Sequence, residues 1–183
     1  MMTIPKTPQH NAPRPDAAEM SADFRAAFRN HPGGVAVITA DAGDGPVGLT
    51  ATSVCSVSID PPAVAFSLSG ISSAAPAIRR ARTVVIHLLD ADQLELARTF
   101  STSGIDRFAD TSTWSRLPTG EPYLLAAAAW MRGEITGTLD VGGSAVTAVR
   151  VLEVCLRSPD DETTPLVYCN RAWHRLGPGT AVA

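Results

Sequence analysis

The sequence predicts one mainly β domain with a few short helices, arranged as an antiparallel barrel. Three observations carry this. Strand-like runs outnumber helical ones along the 183 residues. Most neighbouring strand-like runs are joined by connections too short for a parallel crossover. The length suits a single domain able to bury its own core without a disulfide staple.

Residues 1–20 carry Pro5, Pro8, Pro13 and Pro15 among polar residues and read as a flexible arm. Ser21 is placed to cap a short helix that sets Phe24 and Phe28 on one face, and His31-Pro32-Gly33-Gly34 ends it. A β-branched run at 35–40 predicts a strand. A Gly/Asp/Pro turn leads into a second strand-like stretch over 47–57, and Asp60-Pro61-Pro62 breaks the chain again. Over 63–69 the pattern alternates, with Val64, Phe66 and Leu68 on one face. Residues 72–81 suit a short helix, with Pro76 near its first turn, and 83–89 an apolar strand. Asp90 and Gln93 form a capping-box pattern ahead of a helix to residue 101, with Leu96 and Phe100 facing inward.

A polar loop over 102–122 carries Arg107, Phe108 and Trp114. Two long strand-like runs follow. In the first, Ile135, Gly137, Leu139 and Val141 alternate with polar residues; the second spans 144–156. A final strand is expected over 166–176, so the folded domain reads as 21–177 with a tail over 178–183.

Composition narrows the functional classes. Hydrophobic residues make up 45%, charged residues 18%, and the net charge is −3, which leaves no basic field for a nucleic-acid backbone. Lys6 is the only lysine, and the cluster Arg79-Arg80-Ala81-Arg82 reads as a solvated helix end. The longest apolar run, 123–131, falls short of the ~20 residues a membrane span needs. The first residues have no signal-peptide pattern, so a cytoplasmic protein is expected. Cys55, Cys155 and Cys169 are widely spaced, and Cys55 and Cys155 sit in apolar runs where a free cysteine packs as a small hydrophobe. The histidines are isolated from one another, so no metal site is expected.

Gly43-Asp-Gly-Pro-Val-Gly48 spells a dinucleotide fingerprint, but Pro46 and Val47 lead into a strand rather than a helix, so it reads as a hairpin turn. There is no nucleophile elbow and no Walker loop. The informative stretch is 47–69, where Thr50, Thr52, Ser53, Ser56 and Ser58 fall within nine residues. Small hydroxylated side chains let a planar ligand approach a backbone closely and bond its polar edge. The same pattern also suits the wet face of an ordinary antiparallel strand.

The run Gly48-Leu-Thr-Ala-Thr-Ser53, with Ser56-Val-Ser58 and Asp60-Pro-Pro62, resembles the flavin reductase-like, FMN-binding split-barrel family. Phe24-Arg25, Pro32-Gly-Gly-Val-Ala-Val-Ile-Thr39, Arg107-Phe108 with Trp114, Gly120-Glu-Pro-Tyr-Leu124 and Pro165-Leu-Val-Tyr168 continue the similarity in order. The resemblance implies a Greek-key split barrel, a homodimer, and a flavin groove near the dimer interface. Carried over, Thr50, Ala51, Thr52 and Ser53 would line the isoalloxazine, and Ser67 and Leu68 would border the ribityl chain. Ser72 and Ser73, with Arg107, would hold the phosphate, although both serines also suit a plain helix cap. His87 would touch the flavin edge or pack as a satisfied core histidine. Phe108 and Trp114 would cover the nicotinamide or form local core.

The implied activity is reduction of FMN, or FAD, by NADH or NADPH, with reduced flavin passed to a partner monooxygenase. No side chain is then needed as a catalytic group, because the flavin carries the chemistry. The alternative is an FMN-binding carrier or sensor, favoured by one departure from the family. Where many relatives have Gly-Asp-His, this chain has Gly142-Gly143-Ser144, so Ser144 stands where a nicotinamide-contacting histidine is expected. A split barrel holding a deazaflavin or heme has no positive support in the sequence.

Overall fold

The computed structural model describes residues 16–156 and 164–182. The expected flexible arm therefore lies largely outside the described residues. Its last part does not: helix α1 runs Ala17–Arg29 and starts five residues earlier than expected, because Asp16 and not Ser21 is the cap. The Asp16 carboxylate accepts from the amides of Ala18 and Glu19 at 2.8 Å each. Ser21 sits inside the helix, donating to the Ala17 carbonyl.

The strands follow as β1 (Gly33–Gly34), β2 (Ala36–Asp41), β3 (Pro46–Ala51), β4 (Cys55–Ile59) and β5 (Pro62–Ser69). Helix α2 (Ala75–Arg80), β6 (Thr83–Leu88) and α3 (Leu94–Ser101) come next. Then come β7 (Trp114–Arg116), β8 (Pro122–Leu124), β9 (Ala129–Val141), β10 (Ser144–Leu156), β11 (Leu166–Cys169) and β12 (Ala172–Arg175).

Seven strands form one antiparallel sheet in the order β3-β2-β6-β9-β10-β5-β4, which curls into the split barrel. Smaller sheets pair β1-β11-β12 and β7-β8. Val64, Phe66 and Leu68 point inward as their alternation required, and with Ile38, Val84, Ile86, Val149 and Ile78 of α2 they fill the barrel. A second core of Val35, Val37, Leu89, Phe100, Phe108 and Leu124 packs α3, the segment before β7 and the β7-β8 hairpin against β2.

Local chemistry explains the turns. The fingerprint-like string is indeed the β2-β3 hairpin: Gly43 and Gly45 take φ of +103° and +108°. The Asp41 carboxylate accepts from both their amides and from Arg116. Burial raises the Asp41 pKa, but these hydrogen bonds outweigh it and hold the carboxyl below its ordinary range. The capping box at Asp90 and Gln93 forms as expected, opening with a short 3-10 turn over Ala91–Gln93. At Gly133 a Cβ would lie 2.3 Å from Val149, and β9 pairs with β10 there through register shifts.

Three expectations need correction. The single strand over 47–57 is two strands, because residues 52–54 turn from one sheet edge to the other. The final strand over 166–176 is a hairpin, turning at Asn170-Arg171 without a glycine. Cys55 and Cys155 are exposed rather than buried; they fall on the outer faces of β4 and β10, beside exposed Val57, Val154 and Leu156.

His87 is fully buried in β6. Its Nδ1 bonds the Val37 carbonyl at 3.0 Å, and its Nε2 accepts from the Leu124 amide at 3.0 Å. It is a satisfied core histidine and has no free edge for a ligand. Burial pushes its pKa down to about 4, against the Val37 carbonyl, which favours the charged form. A depressed histidine pKa contributes stability that is complete above the unfolded value of about 6.5 and is lost as pH falls toward 4. Between pH 7 and pH 5 the wild type should lose about 2 kcal/mol more than His87→Gln, which cannot titrate. Urea unfolding at both pH values checks this; equal losses would contradict it.

A hydroxyl-lined cleft at the barrel edge

The cleft lies along β3, which has a strand neighbour on one side only. Two side chains hold the free edge. Thr50 Oγ1 donates to the Ala97 carbonyl of α3 at 2.7 Å. Ser53 Oγ accepts from the Ser67 amide at 2.9 Å, joining the end of β3 to β5 across the split of the barrel. Gly48 lets α3 come close, since a Cβ there would meet the Phe100 ring at 2.6 Å.

These ties leave a cavity of about 400 Å³, within the range of small-molecule sites. Thr50, Ala51, Thr52, Ser53, Ser67, Ser72, Ser73 and Arg107 all line it, so the structure brings most of the expected site residues together. Leu49, Ser69, Ile71, Phe100, Ser101 and Ser103 complete the wall among the described residues. Sequence reading missed these six; the Ser/Thr content of 67–73 and 99–103 was the available signal for the hydroxylated ones. Thr52, Ser69, Ser72 and Ser103 make no side-chain hydrogen bond among the described residues, so their hydroxyls face no competing partner there.

Among the described residues, Arg107 is the one ionisable side chain in the lining. Its Nη1 donates to the Gly48 carbonyl at 2.9 Å, while Nε and Nη2 donate to the Thr102 carbonyl at 3.1 and 2.9 Å. Ser73 Oγ lies 3.4 Å from Nη1. Partial burial lowers the guanidinium pKa without discharging it. The cation is thus fixed by neutral carbonyls, and its charge is not cancelled by a carboxylate. Helix α2 is only six residues long, so Arg107, and not a helix dipole, supplies the positive end of the cleft.

Three expected residues fall elsewhere. His87 is in the core, as above. The Leu68 side chain is fully buried inside the barrel, because its neighbours Ser67 and Ser69 take the outward positions of β5. Phe108 is buried between Phe100 and Trp114, with edge-on ring contacts at 5.2 and 5.0 Å. It lines a separate pocket of about 170 Å³ behind Arg107. Trp114 donates to the Phe108 carbonyl and completes that aromatic cluster. Ser144 stands opposite Ser69 across the β10-β5 pair, next to the cleft wall. Gly70 ties this corner down by donating to the Gly143 carbonyl at 2.9 Å.

The barrel thus carries at its free edge a hydroxyl-rich cleft with one fixed cation, a donor set suited to a ligand with a polar edge and an anionic group. Comparison with known proteins narrows it. Residues 28–177 match the flavin reductase like domain, and the chain belongs to that family. Over 178 residues it is 40% identical to the NADH:FMN oxidoreductase of Rhodococcus qingshengii, covering 96% of this chain and 93% of that protein. Among solved structures, a flavin reductase domain protein from Arthrobacter sp. FB24 superposes with a TM-score of 0.80 at 35% identity, covering 86% of this chain and 96% of the other. The NADH:FAD oxidoreductase of Streptomyces globisporus C-1027, in complex with NAD and FAD fragments, gives 0.79 at 26%, covering 93% and 100%.

Because their hydroxyls are committed to protein carbonyls and amides, Thr50 and Ser53 hold the edge strand before they hold any ligand. Thr50→Val should therefore destabilise the fold by about 1–3 kcal/mol, since the Ala97 carbonyl loses its partner. Ser53→Ala should loosen the β3-β5 junction. Thermal unfolding without ligand checks both; unchanged stability would return these hydroxyls to the ligand.

Proposed function

We propose that the chain is an NAD(P)H-dependent flavin reductase, with FMN as its flavin and FAD as an acceptable substitute. The observation that carries this is the cleft itself: hydroxyls and edge-strand backbone along one wall, and a single uncancelled cation at one end. The donor set fits FMN, which presents a polar ring edge and a phosphate. In this reading Arg107 and Ser73 hold the phosphate, with Ser72 beside them. Thr50, Ala51, Thr52 and Ser53 set the isoalloxazine against β3, and Ser67 borders the ribityl chain.

When bound, the flavin supplies the hydride-accepting chemistry. The chain supplies binding and orientation. Its edge strand, which must bond something other than a neighbouring strand, offers backbone groups to the ring's polar edge, where donors favour the reduced, more electron-rich form. In this reading the reduced flavin passes to a partner monooxygenase; a Rhodococcus opacus relative, 33% identical, is the reductase component of a 4-nitrophenol 4-monooxygenase/4-nitrocatechol 2-monooxygenase. We place the chain in the cytoplasm, where a soluble nicotinamide donor is at hand. Among the described residues no helix is long and apolar enough to cross a membrane.

We further propose a homodimer. β4 and β10 turn Val57, Ile59, Val146, Leu152, Val154 and Leu156 outward, with Ile59 88% exposed, an apolar face that an isolated barrel would not retain.

Arg107→Gln tests the phosphate assignment. It should weaken FMN by at least tenfold while leaving riboflavin, which has no phosphate, within twofold of wild type. Fluorescence titration of both flavins reads the ratio; equal losses would sink the assignment. Steady-state oxidation of NADH and NADPH with saturating FMN tests the activity, with wild-type turnover of order 1 s⁻¹ or more expected. Flavin binding without turnover would favour the carrier reading and make Gly142-Gly143-Ser144 its cause.

A further inference from the structure

A groove of about 550 Å³ runs beneath α1 and meets the flavin cleft at Thr52 and Ser53, which line both. We propose that it binds the adenosine diphosphate end of the nicotinamide co-substrate, an inference that rests on the flavin reductase reading above.

The disposition of charge points this way. Seven described arginines pair with carboxylates. Of the five that do not, Arg107 braces backbone carbonyls and Arg175 lies on β12. The other three, Arg25, Arg29 and Arg171, all line this groove, with His31 beside them and no acidic residue among the described lining residues. Arg25 and Arg29 are one helical turn apart on α1, and Arg171 approaches from the β11-β12 turn. In a chain of net charge −3, three guanidiniums around one cavity with no carboxylate partner among the described residues are suited to hold phosphates.

Rings and backbone add to this. Phe24 and Phe28 are 62% and 58% exposed, with ring centroids 4.7 Å apart, and with Tyr168 they offer aromatic surface on which a purine can stack. Asn170 and Arg171 take φ of +48° and +62° in a two-residue hairpin turn, whose second position favours glycine. The chain places an arginine there instead, on the groove wall.

The geometry also distinguishes the two dinucleotides that carry this moiety. The adenosine end of FAD would continue from the phosphate, and so start at Arg107 and Ser73. Those two residues are shared with the 170 Å³ pocket and not with this groove. A co-substrate whose nicotinamide lies at the Thr52-Ser53 end extends its tail directly under α1.

The test uses the full chain with FMN. In Arg25→Gln/Arg29→Gln, KM for NADH and for NADPH should rise at least tenfold, kcat should move less than threefold, and the FMN dissociation constant should stay within twofold. ADP should compete with NADH in the wild type and lose at least tenfold in potency in this variant. Arg171→Gly restores the preferred turn residue, so it should raise Tm while also raising KM, a combination that a purely structural arginine would not produce. KM within twofold of wild type in both variants would overturn the proposal. So would a loss confined to FAD affinity, which would give the groove to the flavin's adenosine. If the wild type oxidises neither NADH nor NADPH, the reductase reading fails on its own. Calorimetry with ADP would still read the groove: binding that disappears in the double variant supports the site, and no binding to wild type removes it.

Discussion

β3 is the outermost strand of the seven-stranded sheet, and its free edge cannot be satisfied by another strand. Every functional feature follows from how that edge is managed. Thr50 fastens it to α3, Ser53 fastens its end to β5, and Gly48 gives Phe100 room to approach while its carbonyl accepts from Arg107. The barrel is therefore closed by side chains where a ladder of backbone bonds would otherwise run. A gap held open by side chains is a cleft with unpaired backbone along one wall, and that suits the polar edge of a flat ligand.

The same economy governs charge. Half of the described arginines are spent on carboxylates nearer the surface, where each pair contributes little. One pair is buried: Glu121 accepts from Arg132, Thr83 and Thr119 near the end of the barrel. Burial raises the Glu121 pKa, but these donors outweigh it and keep the carboxyl below its ordinary value. Arg107 differs because its partners are carbonyls. Carbonyls fix a guanidinium in place and leave its charge for something else. The arginines around the α1 groove lack carboxylate partners among the described residues, and both cation-bearing sites connect to the same cleft.

Much of the fold was legible because its signals are local. The Val64/Phe66/Leu68 alternation, the Asp90-Gln93 capping box and the glycines of the β2-β3 turn each act within a few residues, so the sequence states them directly. The hydroxyl-rich segment likewise marked the cleft. What it did not disclose was how the hydroxyls are used. Thr50 and Ser53 find their partners 47 and 14 residues away, and no local pattern encodes that. Cys55 and Cys155 lie in apolar runs that look internal, yet both strands show those faces outward. Asn170-Arg171 turns a hairpin without the glycine that would have announced it.

The sequence by itself determined the β-rich class, the family and most of the hydroxylated residues along the cleft, because periodicity, capping and motif order are properties of neighbouring residues. Only the tertiary structure decided which of those residues are free to meet a ligand. It put His87, Leu68 and Phe108 into the cores and left Arg107 charged beside neutral carbonyls. It also joined the α1 groove to the cleft through Thr52 and Ser53. The physical reason is that burial and hydrogen-bond satisfaction are set by contacts between segments distant in the chain, and a residue's type does not reveal whether its partner is the protein or its ligand.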